Sequence, residues 1–441
     1  MAIEPWRMLV GLLVALLTFV ASPGWAQGDE WYEVSKAGLR AADEGRFGDA
    51  EGLFREALRL SETYSEADPR RATSVNNLAY ILHAQGQYLA AEPHYRESLT
   101  MREGALGPEH PDVAQSCNNL AELYRVLGRY DDAEKLHQRA LEIREKAFGA
   151  KHPEVAQTLN NLGVLYASQS RFEAAEPLYR RALEIRTASY GEDHLTTAET
   201  RQNLATLYYA QGRYDEAEPL YQQALEVEEK ALGPEHPSLA TTLSNLAELH
   251  RIQDQLDEAI TLHRRALAIR EKSLGSKHPE TAQSLNNLAV AHFAKADYAT
   301  AEELYLRSIA IKETTLGPAH PELALTLNNL AELYRTQRRF DEAEPLYTRA
   351  LSIDEKGLGP DHPNLALGLN NLALLHYDRG AYVKAEPLLR RALSIEESSL
   401  GPDHAELLTT ISNLAEVLRQ LRQYDEAEAL EGRANALRAQ L

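Results

Sequence analysis

A single cysteine, Cys117, stands in 441 residues. One thiol excludes an internal disulfide framework and any metal site built from several thiolates. Positive charge is also short, with 46 Lys and Arg against 66 Asp and Glu, a formal charge of −20. That balance disfavours nucleic-acid backbones and anionic membrane surfaces as bulk electrostatic partners. No G-x-S-x-G nucleophile motif and no glycine-rich phosphate loop occurs. No apolar run beyond the first 26 residues is long enough to span a bilayer. The chain is nevertheless 44% hydrophobic and 25% charged, too apolar for disorder.

What is present begins with an address. Residues 1–26 place Arg7 before an apolar run from Met8 to Ala21, then a Ser22-Pro23-Gly24 break, with small Gly24 and Ala26 at the last positions. Basic, apolar and small-x-small segments in that order read as a secretory signal cut near Ala26. The run is shorter than the roughly 20 residues a spanning helix requires. The expectation is a mature chain from Gln27 in an exported, periplasmic compartment, without stable membrane insertion; an uncleaved anchor is the alternative. In that compartment Cys117, inside a helical pattern, reads as a buried small apolar residue.

The rest is periodic. Histidines at 110, 152, 194, 236, 278, 320, 362 and 404 are 42 residues apart, most within a Gly-x-x-His-Pro connector. The same spacing relates Asn77, Asn119, Asn161, Asn203, Asn245, Asn287, Asn329, Asn371 and Asn413, each followed by leucine. A fixed period of this size means a solenoid or a propeller. Leu120, Leu123, Tyr124 and Leu127 fall on one helical face, and Ala133, Leu136, Ala140 and Ile143 on a second, with Gly128 between to stop the first helix. No two-residue alternation competes, so a propeller of strands fails. Each repeat is helix, tight turn, helix and connector. One site in the second helix is alanine in every copy, from Ala50 through Ala217 to Ala427, and an aromatic opens most second helices, from Phe47 to Tyr424. Small residues at a crossing plus one bulky plug specify close packing of a helical pair. Pro93, Pro177, Pro219, Pro345 and Pro387 lie five residues after that aromatic, so either the second helix begins later there or it bends.

The combination NNLAELYR…GRYDDAEKLHQRALEI resembles the tetratricopeptide repeat, and the 42-residue unit with its Leu-Gly-x-x-His-Pro connector is similar to the kinesin light chain type. The resemblance covers nearly all of Trp31–Leu441. It implies an all-α, right-handed superhelical solenoid of about ten helix-turn-helix repeats. The expected organisation is a signal over 1–26, an atypical N-terminal capping repeat and connector over 27–70, and the repeat array over 71–441.

Chemistry is not expected. Successive connectors are separated by two helices about 8–10 Å apart, so their histidines cannot converge on one metal ion, and each ring is expected to bond a helix end. No cofactor is implied. Recognition is the better role. By resemblance, first helices line a concave groove in which the asparagine row pairs with ligand backbone or carboxylate groups, since an amide both donates and accepts. The competing reading ties each asparagine to the adjacent helix. Specificity falls to variable rungs. Glu122/Arg125, Glu248/Arg251, Glu332/Arg335 and Glu416/Arg419 are polar, whereas Val164/Ala167, Thr206/Tyr209, Val290/Phe293 and Leu374/Tyr377 are apolar or aromatic. Arg125, Arg251, Arg335, Arg419, Tyr209, Phe293 and Tyr377 are the expected contacts to a peptide with acidic and apolar residues. The expectation is a non-catalytic scaffold that binds a peptide or partner protein. The alternative is a structural spacer or self-assembling envelope component using its ends and convex face.

Overall fold

The computed structural model describes residues 29–65 and 67–439; the signal segment lies outside them. Twenty helices and no strand occur among the described residues, in ten consecutive hairpins. In chain order they are α1 (Glu30–Asp43), α2 (Phe47–Ser61), α3 (Pro69–Ala84), α4 (Tyr88–Leu106), α5 (Pro111–Val126), α6 (Tyr130–Phe148), α7 (Pro153–Ser168), α8 (Phe172–Tyr190), α9 (Leu195–Ala210) and α10 (Tyr214–Leu232). They continue as α11 (Leu239–Ile252), α12 (Leu256–Ser273), α13 (Pro279–Ala294), α14 (Tyr298–Thr315), α15 (Pro321–Thr336), α16 (Phe340–Leu358), α17 (Leu365–Asp378), α18 (Tyr382–Leu400), α19 (Leu407–Gln420) and α20 (Tyr424–Arg438). Two compact units divide the chain, Met1–Lys295 with α1–α13 and Ala296–Leu441 with α14–α20. No helix of the described residues is long and apolar enough to cross a membrane.

The connector histidines sit at helix starts, and five of them, His110, His152, His194, His278 and His320, are the N-cap residue itself. In all eight, Nδ1 accepts from the backbone N–H two residues on, at 3.1–3.3 Å, as in His110 to Asp112 and His362 to Asn364. An acceptor there satisfies one of the donors that a helix start leaves orphaned. The connector glycines, such as Gly107 at φ 88° and ψ 156°, adopt a conformation open essentially to glycine alone.

The mid-hairpin turns need one left-handed residue. Gly128 supplies it at φ 69°, but Ser170, Asp254, Ala296, Arg338 and Arg422 stand in the same geometry without being glycine. Each stores about 1 kcal/mol of backbone strain. Arg338→Gly is therefore expected to stabilise the protein by about that amount, read as a rise in melting temperature.

The internal prolines neither delay nor end their helices. α4, α8, α10, α16 and α18 start at the aromatic and run through the proline. All five prolines are exposed, so the carbonyl left without an N–H faces water. The invariant alanines are buried without residual exposure, from Ala50 to Ala427, as close helix crossing requires. The first hairpin is tied to the second by Arg70, which pairs with Asp29 at 2.6 Å and Asp68 at 2.7 Å. Cys117 is fully buried, and burial pushes its thiol up to about 11. It is expected to resist a thiol reagent in the native protein and to react on denaturation, which a colorimetric thiol assay reads.

Candidate functional site

Second helices pack on the first helices on either side. First helices of successive repeats also approach one another, as α5 does α7 and α7 does α9 in one unit, and α15 does α17 in the other; second helices come no closer than that. Within each unit the first helices therefore form the inner side of the curvature. The residues a ligand would meet there are those on the first-helix face that packing leaves partly open. In α5 they are Gln115, Asn119, Glu122 and Val126, all half-buried.

The asparagine row lies at the edge of this face. Asn119, Asn161, Asn203, Asn329, Asn371 and Asn413 are half-buried, and Asn77, Asn245 and Asn287 are buried. The row also ties repeats together. Asn119 donates Nδ2 to Asn76 Oδ1 of the preceding repeat at 2.9 Å, Asn203 to Asn160 at 2.8 Å and Asn413 to Asn370 at 3.2 Å. Along the helix, Gln115, Gln157 and Gln283 each donate to the asparagine four residues on. A belt of amides results, each spending part of its hydrogen-bonding capacity on its neighbour.

Three of the four polar rungs close on themselves. Arg125 grips Glu122 through Nε and Nη2, at 2.9 and 2.6 Å, and reaches Ser168 of the next repeat with Nη1. Burial pushes the Glu122 carboxyl up, but the guanidinium more than offsets this and holds it below its usual range. Arg251 grips Glu248 and Arg335 grips Glu332 in the same bidentate way. The fourth departs. Arg419 turns to Glu431 at 2.6 Å, and Glu416 accepts from Tyr377 Oη at 3.0 Å. Tyr209 is buried, donating to Glu248 at 3.2 Å, whereas Phe293 and Tyr377 stay half-buried. The arginines thus present neutralised pairs, and an acidic ligand group has to displace a bidentate carboxylate to reach them.

Two rows on the second helices escaped the sequence reading. Tyr95, His137, Tyr179, Tyr221, His263, Tyr305 and Tyr347 recur every 42 residues and are all buried beneath the rungs. Tyr221 Oη lies 2.8 Å from Thr206 Oγ1, Tyr347 donates to Glu332 at 2.8 Å, and His137 Nδ1 lies 2.9 Å from Asn118 Oδ1. His263 has no hydrogen-bond partner for either ring nitrogen.

The second row is a clasp. Arg144, on α6, donates to the Glu154 carbonyl at 3.0 Å, Thr158 Oγ1 at 2.8 Å and Gln115 Oε1 at 2.9 Å, so one buried cation joins three helices. Arg186 and Arg270 repeat the arrangement, and Lys312 makes the corresponding bonds to the Glu322 carbonyl and Thr326 on α15. Glu228 holds the same place with opposite charge, accepting from Thr242 at 2.6 Å and Gln202 at 2.7 Å. The signal was present in the 42-residue spacing, but alternation of cation and carboxylate at one position hid it.

Among the described residues no group of three His, Cys, Asp or Glu is placed to hold a metal ion. The Tetratricopeptide repeat family matches residues 71–112 and, in overlapping windows from 112–188 to 364–440, the chain to its end. No curated protein matches. Solved structures similar to this chain include nearly identical TPR-like repeats assigned to a kinesin light chain of Podosopora anserina, 28% identical over 47% of this chain and 97% of that one, TM-score 0.40. BtubC (BKLC) from P. vanneervenii is 27% identical over 56% of this chain and 93% of that one, TM-score 0.41. A Rap protein complexed with Competence and Sporulation Factor is 16% identical over 93% of this chain and 98% of that one, TM-score 0.51, a likeness of fold.

Proposed function

This chain belongs to the tetratricopeptide repeat family, and from that premise we propose that it is a non-catalytic scaffold holding a peptide or partner protein against the inner face of its hairpins. The observation that carries this is the half-open amide belt of Asn119, Asn161 and Asn203 with the rungs beside it. Its groups are polar, periodic and uncharged overall, which suits peptide backbone and apolar side chains more than a strong charge. A Rap protein of similar fold is complexed with Competence and Sporulation Factor, so the architecture is compatible with such a role.

The alternative, a spacer that assembles through its outer face, is less well served. Second-helix arginines there already pair with the previous repeat: Arg139 with Glu103, Arg181 with Glu145, Arg265 with Glu229 and Arg349 with Glu313. Charges spent inside the array are poorly placed to bind a second chain.

Val164→Arg, a charge on the inner face of α7, is expected to weaken capture of the partner from an envelope fraction at least tenfold. Glu184→Arg on exposed α8 is expected to leave capture unchanged, and circular dichroism to show both folded. Equal capture by both variants contradicts the inner-face reading. The export signal completes the proposal: the intact mass of the secreted chain is expected to begin at Gln27, and a mass retaining residues 1–26 contradicts cleavage.

A further inference from the structure

The unit Met1–Lys295 touches itself at two points far apart in sequence. Gly45, in the turn between α1 and α2, is buried, and a Cβ built there meets His278 Nε2 and Pro279 Cδ, each at 2.9 Å. His278 and Pro279 open α13, six repeats further on, and both are buried. The His110 side chain, four connectors earlier, is 41% exposed. The first hairpin therefore covers a connector that elsewhere meets solvent.

The junctions between these two points are not alike. Repeats two to five share a brace. Arg129 stands 4.0 Å over the Tyr124 ring and reaches back to Glu92 of the preceding repeat at 2.6 Å. Arg171 does the same with Tyr166 and Glu134, at 4.1 and 2.8 Å. Arg213 does so with Tyr208 and Glu176, at 4.0 and 2.9 Å. A cation held between a ring face and a carboxylate resists rotation of one hairpin on the next. Between repeats five and six Glu218 is in place, but His250 and Gln255 stand where tyrosine and arginine would, and they contact each other within their own hairpin. Between six and seven the carboxylate is gone as well, with Ile260 and His292 at the first two positions. The two unbraced junctions lie next to the connector that the first hairpin covers. That cover is one turn against one connector, much smaller than the helix-length interfaces of the hairpins, and small contacts open before large ones.

We propose that the first hairpin is a latch on repeat seven: this unit has a closed state, with Gly45 against His278 and Pro279, and an open state reached by pivoting at the two unbraced junctions. On the scaffold reading above, opening admits a partner to the inner face from the side. The latch itself does not rest on that reading and is tested without a partner.

In the full chain carrying Cys117→Ala, spin labels are placed at Glu44→Cys and Lys277→Cys, exposed positions that flank the contact. Double electron–electron resonance is expected to give a short separation, and adding Gly45→Trp, which wedges the contact, to lengthen it by about one helix diameter, ~10 Å, or more. A control pair across the braced repeats, Glu142→Cys with Glu226→Cys, is expected to keep its separation in the wedged protein. Adding His250→Tyr and Gln255→Arg, which completes the brace on Glu218, is expected to halve the lengthening. An unchanged Glu44–Lys277 pair in the wedged protein overturns the latch. Equal lengthening of the control pair, or no effect of the added brace, overturns the pivot.

Should Gly45→Trp unfold the chain, His278→Ala gives an independent reading. It is expected to speed amide hydrogen exchange in α1 and α2 at least about tenfold while α5 and α7 keep their rates. Unchanged exchange in the first hairpin overturns the latch. Finally, a short bis-maleimide joining the two flanking cysteines is expected to slow capture of the partner from an envelope fraction at least about tenfold. Unslowed capture by the locked protein, with the label distances as expected, overturns entry from the side and leaves the latch standing.

Discussion

His263→Tyr is expected to raise stability at neutral pH and to remove part of its loss in mild acid. His263 is 2% exposed on α12, and burial first, then Arg251 and Arg270, hold its ring down to about 3. His137 is likewise held at about 4, by burial above all. Both folded values lie below the 6.5 of free imidazole, so protons bind the unfolded chain first. Their stabilising share is complete above pH 6.5 and falls away as pH drops toward 4. At pH 5 that loss reaches about 2 kcal/mol for each ring. Glu228 works in the other direction. Burial raises its carboxyl, so its protonation favours the folded state as pH falls. Tyrosine occupies the position of His263 in five other repeats, and Tyr347 reaches Glu332 from it; the same separation places a tyrosine at 263 within reach of Glu248. Burial holds His83 at about 4 as well, so thermal melts from pH 5 to 8 are expected to show a fall in the parent, about a third removed by His263→Tyr and about two thirds with His137→Tyr added. Superimposable profiles would contradict the neutral, unpaired ring.

Arg144→Ala is the second large effect. Its guanidinium is 2% exposed and serves acceptors on α5 and α7 from α6. Its carboxylate partner, Glu154 at 2.8 Å, is 46% exposed, so the replacement strands buried neutral oxygens rather than a buried charge. Lost packing and unsatisfied acceptors together cost about 3 kcal/mol. In an array whose repeats touch mainly their neighbours, the break falls on one interface. Denaturation is expected to change from one transition to two, separating at the junction of repeats three and four. Glu228→Arg restores the common clasp and is expected to stabilise its own junction. A single unshifted transition in Arg144→Ala would show that the clasp carries no coupling.

The periodic parts of the molecule were legible because each repeat obeys the same packing rule. Gly128, the connector glycines and the invariant alanines read directly as turn, connector and crossing, and the connector histidine rings bond helix starts as expected. The second helices were expected to begin later at Pro177 and its equivalents or to bend there; they begin at the aromatic and continue through the proline, because an exposed carbonyl loses little when water replaces an N–H. The inner face was harder. The spacing of Asn119 and Arg125 assigns them to one side of a helix, but side-chain pairing across repeats depends on how hairpins rotate against each other. That rotation gives Asn119 to Asn76, and Arg419 turns to Glu431 within its own hairpin. The close approach of His278 and Pro279 to Gly45 was invisible, since nothing local distinguishes that glycine from Gly212, which meets nothing.

The central claim is that partners bind the inner face, and site-specific photo-cross-linking tests it most directly. A photoreactive side chain is placed at Val164 on the inner face of α7 or at Glu184 on the exposed outer face of α8, and the protein is irradiated in the envelope fraction. The account predicts a discrete partner adduct from position 164 and none from 184. Adducts from 184 alone would contradict it.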